Sequence, residues 1–85
     1  MEQADPIVKK TLLETVDNQL RDNAPPETKE TYKRLRRDGF SHQEARELIA
    51  AVLATEIYNI LKYQRNYDEE KYVADLKRLP ALPED

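Results

Sequence analysis

One stretch of this chain constrains its fold more than any other. From Ala45 to Leu61 the apolar residues Ala45, Leu48, Ile49, Val52, Leu53, Ile57, Ile60 and Leu61 recur at helical spacing, and Ala50 and Ala54 widen the set. At 100° per residue they cover about 240° of a helix, whereas a surface helix needs a stripe of roughly 100°. The helix start is marked by Ser41-His42-Gln43-Glu44, a capping box with Ser41 as N-cap and Glu44 at N3, and Phe40 stands where a hydrophobic staple would reach Ala45. No breaker follows until Asn66, so the pattern predicts a helix over 42–65, roughly 36 Å long. A helix so widely apolar must lie at the centre of the fold and be touched on two sides.

The rest of the chain reads as its cover. Asp5-Pro6 is an N-cap followed by proline at the first helical position. Val8, Leu12, Leu13, Val16 and Leu20 then share one face of a first helix over 6–22. Asn23-Ala24-Pro25-Pro26 ends it, because a residue before proline is pushed out of helical geometry. Pro26 opens a second helix over 26–38 with a narrow inner face of Thr28, Thr31, Tyr32 and Leu35. Gly39, the only glycine, stands where a helix end favours a left-handed residue. Asp68 caps a fourth helix over 69–78, with Tyr67 placed to pack on Tyr72 and with Val73, Leu76 and Leu79 on its apolar face. Residues 79–85 read as an extended tail. The expected fold is all-α, one domain over 1–85: a compact four-helix bundle with a long central third helix.

Composition narrows the function. The chain has no Cys, which removes disulfides, thiolate metal sites and cysteine nucleophiles. The longest uncharged apolar stretch, Leu48 to Thr55, is eight residues, and a membrane span needs roughly 20. The start, Met1 to Pro6, has no basic n-region and no apolar h-region, so a cytoplasmic protein is expected. The net charge of −3 exerts no general pull on nucleic acid or anionic lipid.

Several constellations bear on chemistry. Lys29, Lys33, Arg36 and Arg37 share about 100° of helix 2. Phosphate binding needs such a cluster, so nucleic-acid binding through this face is the alternative function. No aromatic residue stands among these bases to stack on a nucleobase. A helix–turn–helix reading across Gly39 fails because helix 3 would be the recognition helix, and its face is needed for packing. His42 has no second His or Cys to share a metal with, and no Ser-His-acid or Glu-x-x-His pattern occurs, so no cofactor and no catalytic residue are assigned. Pro80-x-x-Pro83 has the spacing of a proline-rich ligand, but Leu79 and Leu82 fit better as anchors that dock the tail on the bundle. Glu56 lies inside the apolar arc of helix 3, where a carboxylate must pair or shift its pKa: an Arg, Lys or Tyr of a neighbouring helix is the expected partner, with a contact across an oligomer interface or a functional role as the alternatives.

Two resemblances follow from these residues. Gly39-Phe40-Ser41 followed by Ala45 resembles the Gly-Phe loop of ubiquitin-associated domains over about ten residues. The long unbroken third helix departs from the three short helices of those domains. The order Asn23-Ala24-Pro25-Pro26-Glu27-Thr28, Leu35, Gly39-Phe40-Ser41, Glu44-Ala45, the aliphatic run Leu48 to Leu61, Asp68-x-x-x-Tyr72 and Leu79-Pro80 is similar to small bacterial proteins of domain-of-unknown-function families. That likeness spans residues 7–80 and implies a bacterial, cytoplasmic, helical module with no catalytic residues to carry over.

The expected function is a non-catalytic protein-interaction or self-association module, with a homodimer as the expected assembly. Its surface is expected on Ala50, Ala51, Ala54, Glu56 and Tyr58 of helix 3, where small residues allow close approach of a second helix.

Overall fold

The computed structural model describes residues 6–83. It is all-α, with α1 (Pro6–Asp22), α2 (Pro26–Arg37), α3 (His42–Tyr63) and α4 (Glu69–Arg78). The expected Asp5 cap and the last two tail residues lie outside the described residues.

Helix starts follow the local chemistry. Both halves of the capping box of α3 form: the Glu44 N–H donates to Ser41 Oγ at 3.0 Å and the Ser41 N–H to Glu44 Oε1 at 2.8 Å. Asp68 caps α4 through the Lys71 N–H at 3.1 Å, and the Tyr67 and Tyr72 rings meet at 6.1 Å between centroids. Pro26 opens α2 with no side-chain cap before it.

Three helices end the same way. Asn23, Gly39 and Gln64 each take positive φ, at 53°, 103° and 51°. In each case the next N–H reaches back to close the turn: Ala24 to the Gln19 carbonyl, Phe40 to Leu35 and Arg65 to Ile60, all at 3.0–3.2 Å. These are Schellman closures, which satisfy carbonyls left over at the helix end. The α3 boundary is thereby corrected. The helix stops at Tyr63 rather than 65, because Gln64 adopts the left-handed conformation usually left to glycine or asparagine.

The third helix is the hub. It contacts α1, α2 and α4, and α2 also contacts α1 and α4. The core is Val16, Leu35, Ala45, Ile49, Ala50, Val52, Leu53, Tyr72, Leu76 and Leu79, with Leu12, Leu13, Leu20, Tyr32, Phe40 and Leu48 packed at its edge. A buried polar knot ties three helices together: Thr28 Oγ1 and Tyr72 OH both donate to Gln19 Oε1, at 2.9 and 2.8 Å. Burial, partly offset by these contacts, raises the Tyr72 phenol above its ordinary value. Arg34 fastens α2 to the end of α4 by donating to the carbonyls of Leu79, Leu76 and Lys77.

The tail docks at one of its two expected anchors. Leu79 is buried, whereas Leu82 stays half-exposed beside Phe40, Leu48 and Ala51. Among the described residues, no helix is long and apolar enough to cross a membrane.

Candidate interaction face

The cover over α3 is incomplete. Ala45, Ile49, Ala50, Val52, Leu53, Glu56 and Asn59 are buried, but Ile57, Tyr58 and Leu61 remain 41, 50 and 73% exposed. The reason lies in α1. It packs antiparallel to α3, with Asp17 against Arg46 and Val8 beside Ala51 and Ala54. The first turn of α1 is therefore reached near Ala54, and the last turns of α3 project past it. Val8, expected on the inner face of α1, is itself 53% exposed here.

This leaves a groove and a ridge on one side of α3. The groove, about 320 Å³, is walled by Val8, Leu12 and Leu13 of α1 and floored by Ala50, Ala51 and Ala54. Leu82 of the tail borders the opposite flank at Ala51. The small floor residues make the groove, since no side chain beyond Cβ fills it. On a helix of 3.6 residues per turn, Glu47, Ala51, Ala54, Tyr58 and Leu61 fall within about 80° of one another. The ridge of Tyr58 and Leu61 therefore continues the line of the groove.

The groove end carries Glu47, paired there with Lys9, and the ridge end carries the cation Lys62. Glu47 is held below the ordinary carboxylate value by Gln43 Nε2 at 3.0 Å and by Lys9 at 3.2 Å. Lys62 lies over the rings of Tyr58 and Tyr63, at 5.4 and 5.2 Å, and forms no ion pair among the described residues.

Two residues expected on the interaction surface are buried, Ala50 in the floor of the groove and Glu56 inside the bundle. Ala50 is only 8% exposed because α1 covers its far side. Glu56 is 2% exposed and points into the bundle. Its carboxylate receives Arg65 Nη1 and Nη2, both at 2.9 Å, and the Asp68 N–H at 3.0 Å. The Arg65 guanidinium outweighs burial and holds the Glu56 carboxyl below its ordinary value. Glu56 therefore anchors the α3–α4 turn, and its partner comes from that turn rather than from a neighbouring helix. Ala51 and Ala54 are partly exposed and Tyr58 is exposed.

The basic face of α2 is also accessible at Lys29, Lys33, Arg36 and Arg37. It differs from the expectation in one respect, since an aromatic ring does stand among the bases. Arg36 lies 5.9 Å from the Tyr32 ring centroid and donates to Tyr32 OH at 3.0 Å, and that hydroxyl lies 2.7 Å from His42 Nδ1. His42 is thus engaged with α2. Among the described residues, no group of three His, Asp or Glu side chains converges to hold a metal ion. No protein-family model, curated protein or solved structure matches the chain.

Proposed function

We propose that this protein is a non-catalytic self-association module whose uncovered α3 face buries against a second copy. One observation carries this reading. Ile57, Tyr58 and Leu61 stand exposed on the same helix whose other residues form the core. A contiguous apolar ridge beside a groove is the usual mark of a protein contact. A typical stable interface takes about 800 Å² from each partner. This is roughly one seventh of the 5,855 Å² surface.

The nucleic-acid reading has less support. The bases on α2 are interleaved with Glu27 and Glu30, and Arg36 is committed to Tyr32. Sedimentation equilibrium tests self-association directly. The expected mass rises from 10.0 kDa toward twice that value across the micromolar range. Leu61→Asp is expected to stay monomeric with unchanged helical circular dichroism. A monomer at high micromolar concentration ends the reading.

A further inference from the structure

We infer that two copies pair α3 against α3 in antiparallel, with Tyr58 of each seated over Ala51 of the other and Lys62 of each facing the other's Glu47. This arrangement rests on the self-association reading and adds its geometry.

The argument starts from symmetry. A closed dimer uses the same patch on both copies, so the patch must complement itself under a two-fold rotation. On α3 the groove floor at Ala51 and the ridge at Tyr58 lie on one line but at different heights. A parallel pairing would set ridge on ridge and groove on groove. It would also set Glu47 against Glu47 and Lys62 against Lys62. An antiparallel pairing sets each ridge into the other copy's groove and each acid against a base.

The register is defined by two independent pairs. Glu47 precedes Ala51 by four residues, and Lys62 follows Tyr58 by four. Seating Tyr58 over Ala51 therefore brings Lys62 level with Glu47 in the same step. The two-fold axis then passes beside Ala54 and Thr55. Ala51 and Ala54 are the small residues there, so the helices can approach at the short end of the roughly 8–10 Å packing range. The walls of the slot are Val8 and Leu12 on one side and Leu82 on the other. Lys62, with only aromatic rings beside it, gains an acidic partner in Glu47, whose side chain is 43% exposed.

A charge-swap cycle read by sedimentation equilibrium tests the arrangement. Residues 47 and 62 are fifteen positions apart on one straight helix, about 22 Å. Coupling between them can arise only across copies. Glu47→Lys and Lys62→Glu are each expected to weaken the dimer by about five- to twentyfold, since each creates two like-charge contacts. The double swap is expected to recover to within about threefold of the parent. Because the chain has no cysteine, Ala54→Cys gives a second readout. It is expected to form a covalent dimer on mild oxidation, whereas Lys29→Cys on α2 does not. A protein that dimerises without rescue in the double swap, or without cross-linking at position 54, overturns the antiparallel pairing while self-association stands. A protein that stays monomeric overturns both, and leaves the face to a different chain or to residues 1–5 of this one.

Discussion

A carboxylate taken out of water costs several kcal/mol unless its charge is met, and Glu56 is met by three donated hydrogen bonds. The two members of the pair are not equivalent. Glu56 is buried, whereas the Arg65 side chain is 28% exposed and can return to solvent. Arg65→Ala leaves the carboxylate stranded and is expected to cost about 2–4 kcal/mol in urea unfolding. Glu56→Leu leaves an arginine that can turn to water and is expected to cost less than about 1.5 kcal/mol. The acid dependence follows from the sign of the shift. The folded state holds the Glu56 carboxyl below its ordinary value of 4.5. Its contribution is therefore full above that value and is lost as pH falls through the lower folded one. In Arg65→Ala the buried carboxyl favours its neutral form instead, so the stability gap between the two proteins should narrow between about pH 6 and about pH 3. Equal gaps at both ends of that range would show that Arg65 acts by packing rather than by charge.

At the scale of elements, the helix ends differ in how far they could be read ahead. Starts were legible because the signals are local: Ser41, Glu44 and Asp68 each bond an N–H within three residues, and Pro26 brings a helical φ to a position whose N–H needs no partner. Gly39 was legible because it is the residue that adopts positive φ without strain. Gln64 was not, since nothing in its chemistry asks for the left-handed region. It is placed there by Arg65, which must turn back to reach Glu56. Gln64→Gly is accordingly expected to stabilise the protein by about 0.5–1 kcal/mol in urea titration, and Gly39→Ala, at φ 103°, to destabilise it by about 1–2 kcal/mol. Contacts between elements were the least legible. Arg34 and Gln19 carry no local sequence signal for the contacts they make. Each is committed by a partner more than forty residues away, Leu79 for Arg34 and Tyr72 for Gln19. Periodicity carries no information on such pairs. Arg34→Ala removes the cap of α4 and is expected to lower stability by about 1–2 kcal/mol. The uncovered face of α3 was half legible for a related reason. The Ala50–Ala54 stripe and Tyr58 were visible as a pattern, but only the length and crossing of α1 decide that Ala50 is covered and Leu61 is not.

For the whole molecule, the same apolar excess that makes α3 the hub leaves part of it uncovered among the described residues, so folding and the proposed association would share an origin. α3 is wide enough for three neighbours and longer than α1, and among the described residues Ile57, Tyr58 and Leu61 stay exposed towards its end. If a second copy covers them, part of the measured stability belongs to the dimer, because a partner that binds only the folded chain stabilises it by mass action. The melting temperature should then depend on protein concentration. For two chains of 85 residues, a tenfold rise in concentration corresponds to about 1.4 kcal/mol per dimer and a shift of roughly 4 °C. Leu61→Asp should abolish that dependence and melt at the temperature the parent approaches on dilution. The substitution lies on a residue 73% exposed, so it creates no cavity in the monomer. A parent melting temperature that stays constant over a hundredfold concentration range would instead show that the four helices carry all of the stability in one chain.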